Sequence, residues 1–95
     1  MKVLWLQRAV DDLAALRAYI SQENPDAAKA EVEHVVRAVG LLSEQPALGR
    51  PGRIENTREL VVSNYVVAYR VKAGTVQVLR VLHAARKWPK RLGRK

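Results

Sequence analysis

Asn56-Thr57-Arg58-Glu59-Leu60-Val61-Val62-Ser63-Asn64-Tyr65-Val66-Val67-Ala68-Tyr69-Arg70-Val71, continued by Thr75 to His83, decides the fold. Three runs rich in β-branched and aromatic residues are separated only by Ser63-Asn64 and by Lys72-Ala73-Gly74. Spacers that short predict tight hairpins, and so a three-stranded antiparallel meander. Side chains alternate along a strand, which puts Tyr65, Val67, Tyr69 and Val71 on one face and Val66, Ala68, Arg70 and Lys72 on the other. The first set is the expected core face. Arg58 shares a face with Leu60 and Val62, and Arg80 interrupts the apolar strand Val76 to Leu82. If the registers match, Arg58, Arg70 and Arg80 form one basic sheet surface. If they do not, each is a separate solvated side chain.

What precedes the meander supplies its cover. Val3-Leu4-Trp5-Leu6 reads as a short buried strand. Ala9, Leu13, Leu16 and Ile20 then form one helical stripe, with Asp11, Asp12 and Arg17 off it, which predicts a helix from about Gln7 to Gln22. Asn24-Pro25 marks the next start, because Asn is a favoured N-cap and Pro is tolerated at the first helical position. Ala28, Val32, Val35, Val39 and Leu42 carry the second stripe to about Glu44, with His34 beside it as a partly exposed helix residue. Two or three residues between the helices force an antiparallel hairpin that lies on the sheet. Pro46 to Arg53 is a Gly/Pro-rich loop without the glycine spacing of a phosphate or dinucleotide fingerprint. The expected class is α+β, in the order β-α-α-β-β-β, with a helical hairpin packed on an antiparallel sheet.

Ninety-five residues with 48% hydrophobic content make one domain with one core. The chain has no cysteine, which removes disulfides, thiol nucleophiles and thiolate metal sites together. The apolar run near Met1 is too short for a signal peptide or a membrane span, so a cytoplasmic protein is expected. Charge is distributed unevenly. Residues 1–49 carry 5 Lys/Arg and 7 Asp/Glu (net −2), and 50–95 carry 12 and 2 (net +10), together the stated +8. A chain with one cationic half calls for an anionic partner, either nucleic acid or an acidic protein segment.

The domain is expected over 1–89, followed by a basic tail at 90–95 that lacks the apolar content to fold alone. Arg86, Lys87 and Trp88 read as the start of a phosphate-tracking arm with one stacking residue, or as a frayed end whose Trp88 folds back. Catalytic motifs are sparse. There is no HExxH, no paired carboxylate at a suitable spacing, no nucleophile elbow, and the sequence calls for neither metal nor cofactor. RNA cleavage is the one reaction these residues could support, with His83 as base or orienting group and Arg58, Arg80 and Arg86 facing the developing phosphorane charge.

Trp5-Leu6, Ala9…Asp12-Leu13, Tyr19-Ile20, Asn24-Pro25-Asp26-Ala27-Ala28, Pro46…Gly49-Arg50, Thr57-Arg58-Glu59-Leu60-Val61, Tyr65 to Val71 and Val81-Leu82-His83-Ala84-Ala85-Arg86-Lys87-Trp88-Pro89 follow one another in an order that resembles the RelE/ParE superfamily of bacterial type II toxins. The resemblance runs from Val3 to Pro89 and implies the same β-α-α-β-β-β order. It also implies one of two activities. RelE-type members cleave mRNA in the ribosomal A site, commonly with an Arg after the strand tyrosine and a Tyr near the C-terminus; this chain has Val66 after Tyr65 and no tyrosine beyond Tyr69. ParE-type members poison DNA gyrase without catalytic residues, and Asn64 to Val67 and His83 to Pro89 look closer to that branch. The target-binding residues expected are Arg58, Arg70, Arg80, His83, Arg86, Lys87 and Trp88. The resemblance implies a cognate antitoxin with an acidic, apolar C-terminal segment that covers Arg58, Arg80 or Arg86. A plain nucleic-acid-binding module and an inactive toxin that retains antitoxin binding are the alternatives from other classes.

Overall fold

The computed structural model describes residues 1–85. Strand β1 (Lys2–Trp5) leads into helix α1 (Gln7–Ser21) and helix α2 (Pro25–Gly40), and a 3-10 turn (Leu41–Ser43) comes after them. Then come a two-residue strand β2 (Arg50–Pro51) and the meander β3 (Arg58–Val62), β4 (Tyr65–Lys72) and β5 (Thr75–His83). The helix boundaries lie close to those expected from periodicity. The second helix ends at Gly40 and tightens into the 3-10 turn, where α-helix was expected to about Glu44. Asn24 caps α2 through its side-chain oxygen, which accepts from the Ala27 amide at 3.0 Å, with Pro25 directly after it.

The sheet has five strands in the order β1-β5-β4-β3-β2. The meander is antiparallel, as its short turns require, but β1 lies parallel to β5, with Val3 opposite Val76 and Trp5 opposite Val78. The sheet is therefore mixed, where a wholly antiparallel one was expected. Parallel pairing results from the helical hairpin, which carries the chain across one face before the meander returns a strand beside β1.

The helices lie on one face. Ala9 and Leu16 of α1 and Val35 and Val39 of α2 meet Val62, Val67, Tyr69, Val76, Val78 and Val81 in the main core, and Leu42 closes one end. Burial of such side chains stabilises by about 1.5–3 kcal/mol each, which is what holds the hairpin on the sheet. Two expectations for β4 fail. Val71 is 46% exposed although it shares the core face, because β3 begins at Arg58 opposite Tyr69 and leaves Val71 without a strand neighbour on that side. Val66 and Ala68, on the other face, are buried as well.

The pairing of β4 with β5 has one irregularity. Ala68 pairs with Arg80 and Tyr69 with Val78, so Leu79 has no partner and forms a β-bulge in β5.

Candidate functional site

Arg80 comes directly after the bulge at Leu79. β1 ends opposite Val78, so the outer edge of β5 beyond that point lacks a strand partner among the described residues. Asp12 of α1 takes that place. Its Oδ2 accepts from the Val81 amide at 2.9 Å and from Arg80 Nε at 2.7 Å, and its Oδ1 accepts from Arg80 Nη2 at 3.0 Å. The paired hydrogen bonds to Asp12 hold the Arg80 guanidinium pKa above its ordinary value, against the opposing effect of burial. Arg80 is thus neutralised within the fold.

Arg58 and Arg70 lie at the far end of the meander. Arg58 is opposite Tyr69 and donates from Nη1 to the Gly49 carbonyl at 2.7 Å. Arg70, on the other face by alternation, donates from Nε to Gln77 Oε1 at 2.7 Å. Both nonetheless border one open cleft of about 290 Å³, together with Pro51, Asn56, Thr57 and Val71. The structure brings Arg58 and Arg70 together there and leaves Arg80 out. The three-arginine surface, one of the two alternatives left open by the sequence, does not form, because the bulge and Asp12 draw Arg80 to the sheet edge.

His83 stands at the opposite end. It pairs with Tyr65, and the two rings meet edge to face with centroids 5.4 Å apart. Four residues of strand separate Tyr65 from Tyr69, which puts His83 roughly 13 Å along the sheet from Arg58. His83 Nδ1 accepts from the Ala85 amide at 3.1 Å, so its neutral form carries the proton on Nε2 and presents a donor. The Ala85 amide thus competes with a 2′-hydroxyl for the Nδ1 lone pair. Nearby, the Ala84 amide donates to the Asn64 carbonyl at 2.8 Å, and Ser63 Oγ lies 3.3 Å from His34 Nδ1. Arg86, Lys87, Trp88 and the tail at 90–95 lie outside the described residues.

Beside Arg58, at the same end, runs the Pro46 to Arg53 loop, whose partner Glu59 was not anticipated from the sequence. Glu59 is 3% exposed, and its carboxylate accepts from Arg50 Nη2 at 3.1 Å, from the Arg53 amide at 2.8 Å and from Arg53 Nε at 3.2 Å. Burial alone would push this carboxyl up, but the hydrogen bonds from Arg53 and Arg50 outweigh it and hold the pKa below the ordinary value. The Tyr69 hydroxyl donates to the Pro46 carbonyl at 2.7 Å and accepts from the Gly49 amide at 2.8 Å. Gly49 lies against this ring: an added Cβ would come within 2.7 Å of the Tyr69 hydroxyl and 2.9 Å of the Glu59 carbonyl. The one available signal was an acidic residue next to Arg58 at the start of the strand, with Arg50 and Arg53 just upstream. Among the described residues, no group of three or more His, Asp or Glu side chains could hold a metal ion, and no helix is long and apolar enough to cross a membrane.

Residues 3–88 match the family model described as the ParE toxin of type II toxin-antitoxin systems, parDE. The putative toxin Y4kP of Sinorhizobium fredii is 43% identical over 90 residues, 93% of each chain. Toxin RelE2 of Caulobacter vibrioides is 39% identical and covers 90% of this chain and 97% of its own length. Among solved structures, a chain of the chromosomal ParDE system from P. aeruginosa superposes with a TM-score of 0.78 at 27% identity, over 87% of this chain and 95% of that one. A chain of the RelBE2 toxin-antitoxin complex from Mycobacterium tuberculosis does so with a TM-score of 0.61 at 31% identity, over 86% and 95%.

Proposed function

The chain belongs to the ParE toxin family of type II toxin-antitoxin systems, and on that premise we propose that it arrests growth by poisoning DNA gyrase, in the cytoplasm, and is neutralised by a cognate antitoxin. The observation that carries the choice of target is the disposition of the residues a nuclease would draw on. Arg80 is spent on Asp12, Arg58 stands at the far end of the sheet, and the acceptor nitrogen of His83 is occupied by the Ala85 amide. General acid-base cleavage needs a base and its stabilising cations around one phosphate. Among the described residues they are dispersed. A gyrase poison needs only a surface that docks, and among the described residues Tyr65 and His83 can contribute to one.

A second reading has its own support, because a 39% identical relative is named RelE2 and a RelBE2 complex shares the fold. In that reading the chain cleaves ribosome-bound mRNA and draws on Arg58, Arg80, His83 and Arg86. One experiment separates the two. Expression of the chain alone under tight control is expected to accumulate cleaved gyrase–DNA complexes and a DNA-damage response with mRNA intact. Replacing Arg86, Lys87 and Trp88 together with alanine is expected to abolish the arrest. Cleaved mRNA with intact DNA would assign the chain to the ribosome, and an absence of arrest would make it an inactive toxin.

The antitoxin reading is supported by the toxin-antitoxin complexes that share this fold and by the +10 charge of residues 50–95. An acidic, partly disordered segment can cover a large cationic surface, and opposite charge speeds the encounter.

A further inference from the structure

Among the described residues five arginines stand in or beside the sheet, and three of them are ion-paired. Arg50 and Arg53 share Glu59, and Arg80 has Asp12. Arg58 and Arg70 differ. Each is oriented by a neutral acceptor, the Gly49 carbonyl and the Gln77 amide oxygen, and neither forms an ion pair among the described residues. A neutral acceptor fixes the direction of a guanidinium without cancelling its charge, and most of its donors stay available. The two border the same cleft, which no carboxylate lines among the described residues.

The rest of that cleft is a firm wall with apolar parts. The Gly52 amide donates to the Thr57 carbonyl at 2.7 Å, and the Thr57 hydroxyl donates to the Ile54 carbonyl at 2.5 Å. Asn56 turns the chain there with φ of 65°. Further along, Tyr69 and Glu59 pin both ends of the loop. A site held this way loses little freedom when it is filled. Pro51 and the 46% exposed Val71 add apolar surface beside the two cations.

We propose that the cleft between Arg58 and Arg70 takes the carboxylate of an acidic side chain, flanked by an aliphatic one, from the peptide segment of the antitoxin. Guanidinium groups pair with carboxylate oxygens in defined geometry, and Pro51 and Val71 bury the neighbouring aliphatic carbon. A nucleic-acid phosphate would use the cations and leave that apolar surface in water. The inference rests on the antitoxin reading, and its test has two arms so that the two can fail separately.

The first arm measures binding of the protein encoded by the adjacent reading frame to the wild-type chain, Arg70→Gln and Arg17→Gln. Arg17, exposed on α1, is the control. Arg70→Gln is expected to weaken binding about tenfold, and Arg17→Gln to leave it unchanged. Binding that survives Arg70→Gln in full overturns the cleft proposal, whereas failure of the wild type to bind overturns the antitoxin reading. The second arm follows the Arg58 and Arg70 Nε–H resonances by NMR during titration with an alternating leucine–glutamate peptide, with inorganic phosphate and with oligothymidylate. The peptide is expected to shift both resonances at the lowest concentration. A stronger response to oligothymidylate, or none to any probe, refutes the proposal. Arg58→Gln is kept as an assignment variant only, since it also removes the contact to Gly49.

Discussion

The Tyr69 hydroxyl shows how much of this chain hangs on single polar atoms. Tyr69 is fully buried, and its hydroxyl bridges the partly buried Pro46 carbonyl and the buried Gly49 amide. Tyr69→Phe leaves the Gly49 amide unsatisfied and is expected to cost about 1–3 kcal/mol. In urea unfolding it should lower the midpoint with the slope unchanged. Glu59 adds a pH dependence of definite sign. Its folded pKa lies below the ordinary 4.5, so its contribution is complete above that value and is lost as pH falls through the lower folded value. The stability difference between wild type and Glu59→Gln should accordingly be largest near neutral pH and shrink in acid. A difference that grows on acidification would mean that the hydrogen bonds from Arg53 and Arg50 do not set the balance.

Between elements, the contact of greatest consequence joins α1 to the unpaired edge of β5. The Asp12 carboxylate replaces a missing strand at the Val81 amide and neutralises Arg80, both side chains being less than a fifth exposed. Breaking a partly buried pair from one side leaves an unpaired charge and an unsatisfied Val81 amide, so Asp12→Ala is expected to lose about 1.5–3 kcal/mol. Asp12→Ala combined with Arg80→Met should recover part of that loss in thermal or urea unfolding, because no lone cation then remains; a double variant no more stable than the single one would refute this account. The pair also marks the limit of sequence reading. Helical stripes, the Asn24-Pro25 cap and the short spacers around Tyr65 to Val71 are local signals, and they yielded the element order. The choice of Asp12 over Asp11 as partner joins residues 68 apart in the chain, and the parallel pairing of β1 with β5 spans a similar distance. Nothing in a window of neighbours encodes either, and the bulge at Leu79 is a matter of register that composition does not reveal. For the same reason Arg58 and Arg70 were legible as cations of the sheet, while their separation from Arg80 was not.

At the scale of the molecule, the division between an acidic first half and a cationic second half raises the question of which cations act on a target and which only attract polyanions. The family match ends at residue 88, and Lys90, Arg91, Arg94 and Lys95 all fall beyond it. Each cation that neutralises a phosphate of duplex DNA contributes about 0.9 to the slope of log affinity against log salt. Replacing these four by glutamine should therefore flatten that slope by as much as about 3.6 in binding to arbitrary duplex DNA. If toxicity resides within the matched 3–88 span, the same variant should still arrest growth and still accumulate cleaved gyrase–DNA complexes when expressed alone. A flattened slope with arrest retained separates general attraction for nucleic acid from action on the target, and excludes a plain nucleic-acid-binding module. Loss of arrest at wild-type expression levels would instead place the target contact in the last six residues and end the assignment of 1–89 as the complete toxin domain.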